Sequence, residues 1–470
     1  MRFKTNMKRF ILAAACVLAL FFSQPGNGLA LSIPEEKELA KEFMAMIQKQ
    51  QLVMKDPVVN HYINQMGRHL LAYVPPQPFK FSFYVVDEDV FNAFAGPGAN
   101  IFFYRGLITS LNSADELAGI FGHEIAHSVS RHVAQSIERA KYLSIGSLAG
   151  MLAGVVIGRS SDPQAAQAII TGTAALGHTS MLAFTRENET EADEQGIMFL
   201  KQSCFSPTGL LNGLMRIREA DYRGVEGIPD YVKTHPGTGT RIAHAETILE
   251  GYIEPDTKPA CVLDFDFDMI KYRLIGLYGD PDTVFNDLNT RLSRSEGDAA
   301  LHYAMGLVYA RQQRRQEALV HLKQALALRM LDPIILTDLG RVYLLNGEPE
   351  KALNALQGIE SEPGTGILAR LYQADANLAL NYPAKSEQGY RAVINKAPTA
   401  FPEAYFNLAR IKSMSGNTGL SHYYLGIYYT LAGNSKNAVR HLNKAVDTLS
   451  DPNKKEDAKK RLATLKKQSK

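Results

Sequence analysis

Cysteine is scarce in this chain, with three residues in 470. That scarcity excludes a small scaffold stapled by dense disulfides. An excess of one charge is also missing, since 51 Lys and Arg face 48 Asp and Glu for a formal net charge of +3. Arg2, Lys4, Lys8 and Arg9 supply +4 within the first 30 residues, which hold no acid, and this leaves the remainder at −1. A near-neutral body lacks the electrostatic footprint of a nucleic-acid binder, so no nucleic-acid partner is expected. Wholesale disorder is excluded too, because 46% of the residues are hydrophobic and 21% charged, close to ordinary globular usage. At roughly 100–200 residues per domain, the length predicts two to four domains.

The amino terminus has the three parts of a secretory signal. A basic stretch ends at Arg9, an apolar run of 13 residues extends from Phe10 to Phe22, and Gly28-Leu29-Ala30 forms a small-x-small cleavage site. Thirteen apolar residues are short for a membrane anchor, which needs about 20. Cys16 follows Ala14-Ala15 in a lipoprotein-like context, but Val17–Phe22 would then open the mature chain with more apolar sequence. The expectation is a signal over 1–30 and an exported protein that retains Cys204 and Cys261. An oxidising compartment permits these two to pair.

Two halves with different patterning follow. Residues 31–70 read as amphipathic helix and 78–87 as a strand. Residues 92–100 read as a turn-rich connector, 101–104 as a second strand, and 115–142, 186–202 and 207–222 as helices. Residues 142–158 and 165–184 are rich in Gly, Ala and apolar side chains. They predict a helical hairpin beside the active site, in peripheral contact with a membrane. After about residue 260 a 34-residue period appears. Gly306, Tyr309, Ala318, Leu322 and Ala325 recur as Gly340, Tyr343, Ala352 and Leu356, and again as Gly426, Tyr429, Ala438, Leu442 and Ala445. Ala374, Tyr390 and Pro398 mark a weaker unit, and only half a repeat separates Ala409 from Gly426. This is the tetratricopeptide pattern, an all-α solenoid whose groove binds peptide or protein. The basic tail, from Lys454 to Lys470, reads as a solvated helix end. The expected layout is 1–30 signal, 31–260 catalytic and 261–470 repeat. The fold class is mostly α, with a small β-sheet in the catalytic part followed by the solenoid.

The chemistry lies in His123-Glu124-Ile125-Ala126-His127, an H-E-x-x-H sequence. Histidines four apart share one helical face, so both rings can reach one Zn²⁺ at about 2.0–2.1 Å. Glu124 sits beside them, placed to act as general base for hydrolysis. Two histidines do not hold a catalytic zinc, and a third protein ligand is required. The acidic stretch 186–194 offers Glu187, Glu189, Glu191, Asp193 and Glu194, and the residue pattern does not choose among them.

H-E-x-x-H followed about sixty residues later by E-x-x-x-D resembles the zinc metallopeptidase family of the CAAX prenyl and mitochondrial Oma-type proteases. The likeness extends to Asn92-Ala-Phe-Ala, Arg131-His132, and Thr234-His235-Pro236 with Arg241. It implies a gluzincin-like α+β zinc peptidase with one Zn²⁺ held by His123, His127 and Glu189. It assigns Glu124 as general base and Asp193 as the acceptor that fixes the tautomer of a ligand histidine. His235 is expected either to stabilise the oxyanion or to occupy the fourth metal position and keep the enzyme latent. Arg241 is expected to orient that loop or a substrate carbonyl, and His132 and His178 to be structural. The strand at 100–105 is expected to offer an edge for extended substrate.

A signal, a peptidase core and a repeat array together resemble the periplasmic members acting on outer-membrane β-barrel proteins. The implied partners are unfolded or misassembled clients and, through the repeats, the β-barrel assembly machinery. A different class of reading is a chaperone or scaffold whose protease site is mostly latent.

Overall fold

The computed structural model describes residues 31–50, 52–139, 184–222, 231, 234–255, 258 and 260–468. The signal at 1–30, His178 and nearly all of the apolar stretch 142–184 lie outside the described residues. Among the described residues, no helix is long and apolar enough to cross a membrane.

Helix α1 (Ile33–Lys49) starts on a capping box in which Ser32 and Glu35 satisfy each other's backbone N–H groups. It buries Leu39, Phe43 and Ile47, one side chain per turn. The expected single helix over 31–70 is two: α2 (Pro57–Leu71) begins anew at Asp56, whose carboxylate accepts from the amides of Val58 and Val59. Pro57 has no N–H to offer the preceding turn, so a continuous helix is blocked there.

A three-stranded sheet follows: β1 (Ser82–Val86), β2 (Ala93–Gly96) and β3 (Asn100–Tyr104), in the order β1-β3-β2. Strands β1 and β3 are parallel, with Tyr84 opposite Phe102, and β2 runs antiparallel to β3, with Phe94 opposite the same Phe102. Two expectations are corrected here. Residues 93–96 are a strand, not a connector, because Gly98 and Ala99 at φ 70° and 58° make the tight turn that returns β2 onto β3. The central strand is β3, bonded on both sides, so it cannot supply an edge to substrate. On its other side, β1 carries the Met54 amide on the Val85 carbonyl, and β2 is therefore the outer strand.

Among the described residues this half continues with α3 (Arg105–Ser110), α4 (Ala114–Val129), α5 (His132–Arg139), α6 (Arg186–Gln202) and α7 (Thr208–Tyr222). Helix α8 (Thr238–Leu249) follows them. The helix expected over 115–142 breaks at Arg131, whose φ of 53° is left-handed. Cys204 and Cys261, 57 residues apart, form a disulfide.

From Phe267 onward the chain is all helix. The repeats with a 34-residue period are α9 (Phe267–Tyr278) with α10 (Pro281–Leu292), α11 (Ala299–Arg311) with α12 (Arg315–Leu328), and α13 (Pro333–Leu345) with α14 (Pro349–Leu356). Then come α15 (Gly366–Ala379) with α16 (Pro383–Lys396), a single α17 (Pro402–Met414), α18 (Thr418–Leu431) with α19 (Ser435–Thr448), and α20 (Pro452–Gln468). The half-repeat spacing is thus one inserted helix, α17. Glycine recurs where the two helices of a pair touch: a Cβ on Gly306, Gly340 or Gly426 would lie 2.7, 2.5 or 2.6 Å from Leu322, Leu356 or Leu442. The fold class is as expected, mostly α with one small sheet, followed by a tetratricopeptide-like stack.

Arg273 of α9 joins the two halves. Its Nε donates to Asp56, the cap of α2, at 2.8 Å, and its Nη1 donates to Asp338 of α13 at 2.5 Å and to Tyr303 at 2.8 Å. All four side chains are buried or nearly so. Burial pushes the Asp338 carboxyl up, but Arg273 and Arg341 outweigh it and hold the group below its usual range. Breaking such a buried pair strands a charge and costs about 3–5 kcal/mol. Arg273→Leu is therefore expected to lower the thermal midpoint sharply. A group with a depressed folded pKa contributes above its unfolded value near 4 and loses that contribution as pH falls through the folded one. Melting curves from pH 7 to pH 3 should show the variant's deficit shrinking on acidification.

Candidate metal centre

Helix α4 is capped by Ser113, which accepts from the Glu116 amide, and carries Asp115 and Glu116 against its positive end. From Glu116 to His127 every residue is buried. The three polar members of H-E-x-x-H are thus placed in the core by the apolar residues around them. Glu124 shares this burial, 0% exposed like His123 and His127.

Helix α6 lies against α4 at a glycine contact. A Cβ on Gly196 would sit 3.0 Å from the Gly122 carbon and the His123 nitrogen, and one on Gly122 would sit 3.2 Å from the Gly196 oxygen. Larger residues would hold the backbones apart. With the axes this close, the face of α6 that carries Glu189, Asp193 and Gly196 meets the two histidines. This resolves the choice among the five acids. Glu189 and Asp193 are fully buried, Glu187 is exposed, Glu194 pairs with His244, and Glu191 turns to the flank.

The donors converge. His123 Nε2 and His127 Nε2 are 2.9 Å apart, and they lie 3.5 and 3.3 Å from the Glu189 oxygens. His235 Nδ1 is 3.1 Å from Glu189 Oε1 and 3.3 Å from His123 Nε2. One ligand atom from each of His123, His127, Glu189 and His235 lies within 4.8 Å of the others. The opposite ring nitrogens are occupied elsewhere: His123 Nδ1 on Asp193 Oδ1 at 2.8 Å, and His127 Nδ1 on His132 Nδ1 at 2.8 Å. Both Nε2 atoms are left facing the same point. Glu124 has two buried oxygens with no hydrogen-bond partner, and His235 Nε2, 3.6 Å from Glu124 Oε1, is also buried without one. Imidazole and carboxylate donors of this kind suit a borderline divalent cation, so the residues fit a metal site.

Arg241, from α8, is buried and committed to this cluster. Its Nε and Nη2 donate to the two oxygens of Asp193 at 2.8 and 2.7 Å, and its Nη1 lies 2.7 Å from Glu189 Oε2. The guanidinium therefore faces the carboxylates that hold the histidines. Two aromatic rings close the site: Phe184 stacks on His127 with centroids 3.9 Å apart, and Tyr231 stacks on His235 at 4.3 Å.

Burial drives the titration of the centre, and the paired charges oppose it. Burial pushes the Glu124 carboxyl up, with His235 and His123 countering in part. It pushes His127 well down, helped by His123. For His123, burial and Arg241 act downward, but the bonds to Asp193 and Glu189 win and the ring rises to about 9. Glu189 is held well below its ordinary value against burial by His235 and Arg241, and Asp193 is held at about 2 by Arg241.

Two neighbours of the centre, Phe184 and Tyr231, have no part in the sequence expectation, which places Glu191 among the candidate acids and gives His132 a structural role although it touches a candidate ligand. Tyr231 carries a usable signal, since it stands four residues before His235. His132 follows a residue forced left-handed, and that geometry is not written in residue type.

Residues 57–249 match peptidase family M48. A beta-barrel assembly-enhancing protease of Yersinia pestis is 30% identical over 268 residues, 57% of this chain and 54% of that protein. The aligned chain thus spans about half of that relative's length. The protein of the same name from Escherichia coli K12 is 27% identical over 367 residues, 70% of this chain and 74% of that one. The mitochondrial metalloendopeptidase OMA1 of Schizosaccharomyces pombe is 28% identical over 236 residues, 48% of this chain and 65% of that one.

If the glycine contact sets the donor geometry, Gly196→Val must separate α4 from α6. Overpacking of this kind costs about 1–3 kcal/mol. The variant is expected to keep its far-ultraviolet circular dichroism but to purify with well under one equivalent of metal by elemental analysis. Full metal content would show that the contact does not set the site.

Proposed function

We propose that this chain is an exported zinc endopeptidase acting on unfolded or misassembled outer-membrane β-barrel proteins, a reading supported by the match of residues 57–249 to peptidase family M48 and by the buried His-His-Glu-His cluster that could hold a metal ion. The observation that carries the catalytic reading is Glu124, buried with neither carboxylate oxygen in a hydrogen bond and next to the four converging donors. The relatives' name supports the client class, and the tetratricopeptide-like stack supports a second binding surface for the assembly machinery or its client. The layout we adopt is a signal over 1–30, a catalytic part over 31–260 and a repeat part over 261–470, with the periplasm as location and peripheral contact with the outer membrane.

In this reading His123, His127 and Glu189 hold one Zn²⁺. Bound there, zinc polarises a peptide carbonyl and brings the pKa of a water to about 7. Glu124, kept basic by no competing hydrogen bond, takes the proton from the attacking water and returns it to the leaving amine. Asp193 holds the Nδ1 proton of His123, so that Nε2 presents a lone pair, and Arg241 keeps Asp193 and Glu189 charged and in place. The water-poor pocket strengthens each of these interactions. Extended substrate would join the outer strand β2, where main-chain pairing gives affinity with little sequence preference.

His235 admits two roles, and its geometry favours one. An Nδ1 atom 3.1 Å from Glu189 and 3.3 Å from His123 Nε2 lies among the ligands. We therefore read His235 as a resting fourth ligand that closes the site until substrate or a partner displaces it. The same latency favours the second reading, in which binding by the repeats is the main task and hydrolysis is occasional.

Two measurements on the full chain test this. Glu124→Gln should retain one zinc and its fold while hydrolysis of an unfolded outer-membrane protein drops by about 10²–10⁴-fold. Retained hydrolysis would overturn the mechanism. His235→Ala should keep the metal and raise basal hydrolysis, whereas a loss of hydrolysis would assign His235 to the oxyanion. Chelation should abolish the activity and zinc restore it. If Glu124→Gln supports barrel assembly as well as the parent does, binding is the main task.

A further inference from the structure

We propose that His132 and Glu191 form a positioning relay that fixes the ring and tautomer of His127, and through it sets how tightly the centre keeps its ion; the inference rests on the metallopeptidase reading above. The two ligand histidines of α4 are anchored differently. His123 Nδ1 meets the buried carboxylate of Asp193, itself clamped by Arg241. His127 has no carboxylate at its Nδ1 and meets the Nδ1 of His132 at 2.8 Å instead. A hydrogen bond between two such nitrogens requires that one carry the proton and the other a lone pair.

The direction of this bond follows from the ends of the chain. Nε2 of His127 faces Glu189 and His123 among the converging donors, where a ligand needs a lone pair. Its proton is then on Nδ1, which donates to His132. That leaves the His132 proton on Nε2, 3.3 Å from Glu191 Oε2. A carboxylate can only accept, so every link agrees on one direction. Glu191 is steadied in turn by Ser130 Oγ, which donates at 2.6 Å, and by Gln195 Nε2 at 2.9 Å. The relay starts in the dry core and ends on a side chain that is 51% exposed.

The backbone is shaped to place His132 there. Helix α4 ends at Val129, and Arg131 adopts a left-handed φ of 53° that returns His132 beneath His127. Non-glycine residues avoid this region. Here the Arg131 guanidinium is fastened to Glu36 of α1, with Nε and Nη2 donating at 3.0 and 2.7 Å, and to the Leu31 carbonyl. Glu36 also accepts from the Gly98 amide in the β2–β3 turn at 3.2 Å. The turn that aims His132 is thus held by the first helix and the sheet together. With the relay gone, the His127 ring can rotate, and its proton can move to the nitrogen that the ion requires.

The zinc dissociation constant of the full-length protein, measured by competition with a chromophoric chelator, tests the proposal. His132→Phe, which keeps ring volume, should weaken zinc by about 10–100-fold, the usual effect of losing a partner behind a ligand. Glu191→Ala, a change at the surface, should weaken zinc by a smaller factor of about 3–10 and leave the melting temperature of the metal-free protein unchanged. A purely structural role would move stability but not affinity. In the zinc-loaded parent, long-range ¹H–¹⁵N spectra should show His132 protonated at Nε2. Affinity within twofold of the parent in both variants, or a His132 proton at Nδ1, would overturn the relay. A parent that binds no zinc at all would instead overturn the metallopeptidase reading on which it rests.

Discussion

A charge buried away from water must be paired, and this constraint organises the half of the molecule that precedes the repeats. Glu189, Asp193 and Arg241 lie in a core lined by Phe184, Tyr231 and the apolar face of α4. Neither carboxylate would stay ionised alone. Arg241 answers both carboxylates, the carboxylates answer His123 and His127, and the glycine contact between α4 and α6 brings these groups within bonding range. Glu124 and the Nε2 of His235 face each other at 3.6 Å, and neither takes part in a hydrogen bond. Unbonded ionisable groups set beside converging donors are where a core of this kind can do chemistry.

Much of this was legible in the sequence, for physical reasons. H-E-x-x-H has the period of a helix, so its geometry follows from residue number alone. The 34-residue spacing of Gly, Tyr and Ala reports a stack because each small residue is required where helices touch, as Gly306 against Leu322 shows. The mostly helical class also agrees with expectation, whereas the sequence leaves open whether Cys204 and Cys261 pair, as they do in the structure.

What escaped was set by backbone rather than by side-chain type. Strand β2 was hidden by the Gly-Pro-Gly sequence that begins at its last residue, Gly96, and reads as a loop but supplies the turn that closes the sheet. The assignment of β3 as a substrate edge failed for the same reason, since a missed neighbour leaves a strand looking free. Arg131 was read as helix interior, yet its left-handed φ splits the helix and brings His132 to His127. Choosing Glu189 among five acids needed the rotation of α6 about its axis, which the surrounding residues determine only through packing.

The Cys204–Cys261 bond has a consequence for how the two halves stay together. It ties the segment just after α6, the helix that carries Glu189 and Asp193, to the segment just before α9, where the repeats begin. The Arg273 network, which spans α2, α9 and α13, is another fastening. A chain folded among reduced thiols would lack the covalent tie. Its repeats would then rest at this border on non-covalent contacts alone, the Arg273 ion pairs, the Lys271 bond to the Leu111 carbonyl and the shared apolar core, with a longer free tether ahead of them, and the ionic share of that alignment would depend on salt and acidity. The redox state of the compartment thereby becomes part of the architecture, acting at a distance from any reacting atom.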